Sequence, residues 1–77
     1  MRVVLRYNPR AIRTLRLEQG IDTDALGRRA RVTGRAVRLI EAGSTPRADT
    51  LGKLASALGV QVGAFYVERV KKNGAAA

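Results

Sequence analysis

Residues 22–43, DTDALGRRARVTGRAVRLIEAG, decide how the rest of the chain is read. Asp22 has the side chain of a helix N-cap, and the residues after it place Leu26 and Ala30 on one side, with Arg28 and Arg31 farther round. Val32 closes a tight turn, and Thr33 caps the helix that follows. At about 100° per residue, Gly34, Arg35, Arg38, Leu39 and Ala42 share one arc of that helix, whereas Ala36, Val37 and Ile40 share the opposite one. One side packs, and the side that carries the arginines is presented.

Composition says what such a surface is for. Fifteen Lys and Arg against six Asp and Glu leave a formal charge of +9 on 77 residues, and the pI is about 11.5. A polyanion is the partner this balance favours. A chain of this length supports one domain, and a domain so small buries only roughly 60% of its unfolded surface, which leaves no room for a large catalytic cleft. The absence of Cys and His removes disulfides, thiolate metal sites and the usual zinc ligand sets. The apolar run Val3–Leu5 is shorter than a signal peptide's central region, and nothing approaches a membrane span, so a soluble, unprocessed, cytoplasmic protein without membrane contact is expected.

Outward from the central segment, MRVVLRY alternates Val3, Leu5 and Tyr7 with Arg2, Val4 and Arg6, the period of a half-buried strand. Asn8 and Pro9 predict a helix starting there and running to Gln19, stopped by Gly20, with Ile12, Leu15, Arg16 and Gln19 on one arc. After Gly43 and the loop Ser44–Arg47, a fourth helix is expected over about Asp49–Leu58, with Leu51, Leu54, Ala55 and Leu58 on one stripe, stopped by Gly59. A fifth, short helix over about Gln61–Tyr66 would turn Val62 and Phe65 inward. The whole chain, 1–77, reads as one domain with its core in 8–66 and a disordered tail over 72–77. Gly27 and Gly52, both inside helices, are each expected to cost up to about 1 kcal/mol against alanine.

Two short helices joined by a turn, the second with a basic outer face, are what a helix-turn-helix needs to read duplex DNA. With IRTLR before Gly20, the helix pair ending IEAG and the later TLGKLASALGV in this order, the chain resembles the Cro and phage-repressor type of helix-turn-helix, the XRE family, from about Ile12 to Phe65. The resemblance implies an all-α, five-helix, lambda-repressor-like domain and sequence-specific binding to double-stranded DNA as a transcription regulator of prokaryotic or phage type. It also implies an ion pair between Arg16 and Glu41, largely buried and tying the first helix to the third. The chain departs from the pattern at Gly34, where relatives often carry a base-contacting side chain, in a loop Ser44–Arg47 about one residue short, and at Arg47, where a Ser or Thr cap is common.

The chemistry of the groove then selects residues. Guanine presents two acceptors, O6 and N7, which a guanidinium fork matches with two bonds, so Arg35 and Arg38 are the candidate base readers, with Leu39 against a thymine methyl and Gly34 beside them. Thr23 and Thr33, at helix N-termini, suit phosphate oxygens, although capping alone would also explain them. Arg28, Arg31, Arg47, Ser44 and Thr45 complete the expected phosphate set, while Arg2, Arg6, Lys71 and Lys72 read as solvated charges that extend the basic surface.

Three other functions compete with this reading. RNA binding would want exposed aromatics on the basic helix, and Tyr7, Phe65 and Tyr66 are elsewhere. An enzyme would need an acid, base or nucleophile cluster, and none is apparent; no cofactor or metal is implied. An antitoxin that binds a protein toxin as well as DNA is the alternative, with the terminal segments as its protein surface. A homodimer is expected, because a two-fold pair reads two half-sites. The segments left after the core is filled, MRVVLRY and about Tyr66–Lys71, have strand propensity and are expected to pair, within one chain or across two, as a short β-pair that forms the dimer contact with or without the fifth helix.

Overall fold

The computed structural model describes residues 2–71, with side chains for 4–67; Met1, the 72–77 tail and Lys72 lie outside the described residues, as do the side chains of Arg2 and Lys71. Strand β1 (Arg2–Tyr7) leads into helices α1 (Ala11–Glu18), α2 (Thr23–Ala30), α3 (Gly34–Glu41) and α4 (Ala48–Leu58), then a 3₁₀ turn (Val62–Phe65) and strand β2 (Tyr66–Lys71). The core is assembled from one stripe per helix: Ala11 and Ile12 of α1, Leu26 and Ala30 of α2, Val37 and Ile40 of α3, and Leu51, Leu54, Ala55 and Leu58 of α4, closed by Phe65.

The α-helices among the described residues number four, not five. The expected fifth is the four-residue 3₁₀ turn, because Tyr66 extends into β2 and leaves too little chain for an α-helix. So short a turn gives one residue to the core. Phe65 is fully buried, whereas Val62, expected to face inward, is 38% exposed. The first helix also begins two residues later than expected. Asn8 precedes a proline, which steers it toward extended backbone; its N–H donates to the Phe65 carbonyl at 2.7 Å, and its Oδ1 accepts from the Arg10 N–H at 3.0 Å, so it shapes a turn ahead of the helix.

All four helices end the same way. A residue two or three positions past the helix donates its N–H back to a carbonyl five residues earlier: Ile21 to Arg16, Val32 to Gly27, Ser44 to Leu39 and Val60 to Ala55, at 2.9–3.3 Å. This closure needs a residue of positive φ, supplied by Gly20, Gly43 and Gly59 in three helices and by Arg31, at φ 60°, after α2.

β1 and β2 form a two-stranded antiparallel sheet within one chain, in the register Arg2 with Lys71 through Tyr7 with Tyr66. Tyr7 and Tyr66 pack against the core and meet edge to face, with ring centroids 6.0 Å apart. Farther along the ribbon, burial fades: Leu5 is 64% exposed and Val67 46%.

Candidate nucleic-acid interface

The site is built on α2, the turn and α3. Asp22 Oδ1 accepts from the Ala25 N–H at 2.7 Å and Thr33 Oγ1 from the Ala36 N–H at 2.9 Å, so both helices start at fixed points. Between them the two helices come close at Gly27. A Cβ on buried Gly27 would lie 2.8 Å from the Val32 carbonyl and 2.9 Å from the Gly34 nitrogen, so only glycine lets α3 start so close to α2.

The tilt of α3 is held from behind by Arg16. Its Nε and Nη2 donate to the two Glu41 carboxylate oxygens at 2.7 and 2.9 Å, and its Nη1 donates to the Ile21 carbonyl at 2.9 Å. One guanidinium thus joins α1, the α1–α2 loop and the last residue of α3. The side chains of the pair are only 11% and 10% exposed, and hydrogen bonding to Glu41 holds the Arg16 guanidinium above its already high ordinary pKa against the opposing effect of burial. The charges are paired, as charges largely shielded from water must be.

With Val37 and Ile40 buried, the opposite face of α3 is open: Arg35 and Arg38 are exposed, and Leu39 is 48% exposed. Arg35 has no hydrogen-bond or ion-pair partner among the described residues. Arg38 does: its Nη1 donates to Thr23 Oγ1 at 3.1 Å and to Asp24 Oδ1 at 3.2 Å. Thr23, expected at a phosphate, therefore has its oxygen engaged by an arginine of the next helix. Gly34, expected beside the bases, is half-buried against Asp24, whose carboxylate fills the space its side chain would take. Asp24 was not among the residues singled out from the sequence. The hint there was glycine at the opening of α3; the contact itself needs the crossing of two helices.

Thr33, Arg28 and Arg31 are exposed around the same turn, and Thr33, which accepts from Ala36, keeps its own proton to donate. Ser44, Thr45 and Arg47 are exposed on the loop between α3 and α4. Arg47 occupies the N-cap position of α4 without a side-chain cap bond, and its 3.8 Å contact with Asp49 is solvent-exposed and worth little. The surface thus offers guanidinium forks in its middle and hydroxyls with further arginines around them, a set suited to base acceptors and to phosphate oxygens respectively.

No helix among the described residues is long and apolar enough to cross a membrane. Comparison with curated proteins finds no match. A family model described as Helix-turn-helix matches residues 12–65, which takes in all four α-helices apart from Ala11, together with the 3₁₀ turn. The match covers most of the chain, and the protein belongs to the Cro and phage-repressor (XRE) type of helix-turn-helix family, the DNA-binding transcription regulators.

Proposed function

We propose that this regulator binds specific duplex sites as a homodimer, with α3 in the major groove. The observation that carries the reading is the division of α3 into two faces: Val37 and Ile40 buried, Arg35, Arg38 and Leu39 exposed, with Arg16 and Glu41 holding the helix in place. Arg35 and Arg38 read guanines, Leu39 touches a thymine methyl, and Thr33, Arg28, Arg31, Ser44, Thr45 and Arg47 contact phosphates. Thr23 contributes from the same edge through Arg38. An α3 alone spans only a few base pairs. Two copies related by a two-fold axis place a second α3 about 34 to 36 Å away, one helical turn along the duplex, and read a palindrome.

The ribbon is the surface proposed for that pairing. A two-stranded sheet is marginal by itself in water. Leu5 is two residues from Tyr7 on the same face of β1, but unlike Tyr7 it is exposed and does not pack on the core, so a second copy can cover what the first leaves open.

Selection of bound sites from a random duplex library tests the function. Enrichment of a palindromic motif with guanines in each half-site is expected; binding that enriches no motif at any salt concentration contradicts it.

A further inference from the structure

Gly34 and Arg38 are four residues apart on α3, so they stack on one face, and helical side chains lean toward the helix N-terminus. Arg38 therefore reaches back over the position where residue 34 would carry a side chain. A Cβ at Gly34 would collide with Asp24 Oδ1 and stand 3.0 Å from Asp24 Cγ and 3.2 Å from its Cα. The space left empty is occupied by the Asp24 carboxylate, and that carboxylate, with Thr23 Oγ1, accepts from Arg38 Nη1. The Arg38–Asp24 contact is exposed, the side chains 56% and 64% open to solvent, so it directs the arginine while adding little stability.

We infer that Asp24 is a positioning residue for base recognition: from α2 it clamps Arg38 so that the Nε and Nη2 edge of the guanidinium is presented to a guanine. The inference rests on Arg38 being a base reader, as proposed above. Thr23 and Asp24 both accept from Nη1, and the edge that makes no bond, Nε with Nη2, is one of the two parallel donor pairs that match guanine O6 and N7. Arginine is rich in rotamers, so a side chain already held in the reading geometry loses less freedom on binding and discriminates more sharply. The location of the acid supports this role. On a chain of net charge +9, Asp24 is a carboxylate on the proposed DNA-facing surface, where it opposes phosphate and weakens binding to any sequence. An acid there is useful for recognition when it directs the arginine beside it.

The test uses the full chain and compares Asp24→Asn, Gly34→Ala and Arg38→Ala with the wild type, on the selected duplex, its single-base-pair variants and a random duplex, with thermal melts confirming that each variant folds. Arg38→Ala identifies the base pair that Arg38 reads. At that same pair, Asp24→Asn is expected to lower the preference for guanine by about fivefold or more while tightening binding to random duplex. Gly34→Ala, by displacing the carboxylate, is expected to reduce the same preference. If Asp24→Asn tightens all duplexes equally and leaves that preference intact, or changes nothing, the clamp is overturned although Arg38 remains a reader. If Arg38→Ala weakens every duplex alike, the reading of Arg38 itself fails, and the clamp fails with it.

Discussion

The Arg16 guanidinium makes three charge-assisted bonds in a space almost closed to water, two of them to Glu41 and one to the Ile21 carbonyl. Removing charge from one side leaves the other buried and uncompensated. Glu41→Gln is therefore expected to cost about 3–5 kcal/mol, a large share of the stability of a domain this small, and to lower Tm by more than about 10 °C. An unchanged Tm would remove the pair from its structural role. Tyr7 presents the opposite case. Its hydroxyl is buried without a hydrogen-bond partner among the described residues, and burial, helped by the neighbouring Tyr66, raises its pKa above the usual value. A folded-state pKa above the unfolded one, about 10, means that the stability tied to the protonated hydroxyl is complete below about pH 10 and is lost as the pH rises through the folded value. Tyr7→Phe should flatten this alkaline loss and leave stability at neutral pH equal or higher by about 1 kcal/mol, as measured by denaturant melts across pH. A variant clearly less stable than wild type at pH 7 would show that the hydroxyl is satisfied in solution.

At the scale of elements, two glycines that look alike in the sequence behave as opposites. Both sit inside helices, and propensity alone charges each the same penalty. Gly52 faces open space, so Gly52→Ala should stabilise α4 by up to about 1 kcal/mol. Gly27 faces three backbone atoms of the turn within 3.0 Å, so Gly27→Ala must push α3 off α2 and should destabilise by about 1–3 kcal/mol. The expected order of melting is Gly52→Ala above wild type above Gly27→Ala; a Gly27→Ala protein melting at or above wild type contradicts the packing described. The same distinction explains what could be read from the chain. Stripes such as Leu51, Leu54, Ala55 and Leu58, and caps such as Asp22 and Thr33, are local, and periodicity reveals them. Tyr66 is claimed in the sequence both by a short helix over Gln61–Tyr66 and by a strand over Tyr66–Lys71; a segment so short carries no periodicity to separate a 3₁₀ turn from an α-helix, and only the pairing of Tyr66 with Tyr7 decides for the strand. The reach of Arg38 to Asp24 depends on how α2 and α3 cross, which an arc drawn on α3 alone does not contain.

For the whole molecule, alternation in MRVVLRY showed a strand, and the register with Tyr66–Lys71 assigns its partner to the same chain. Pairing within the chain leaves Leu5 and Val67 exposed, and the proposed two-fold contact accounts for Leu5. Sedimentation at micromolar concentration should show a dimer, and Leu5→Arg a monomer with an unchanged helical signal; a wild type that stays monomeric with and without its selected duplex contradicts the pairing. The central claim is that the outer face of α3 reads bases. Its most direct test is equilibrium titration of wild type, Arg35→Ala and Arg38→Ala at one fixed salt concentration against the selected duplex and each of its single-base-pair variants. The expected result is a loss of about 1–3 kcal/mol on the best site for each variant, with preference flattened at one defined base pair that differs between the two. A loss of equal size on every duplex, with the preference at every position intact, would make both arginines phosphate contacts and contradict the claim.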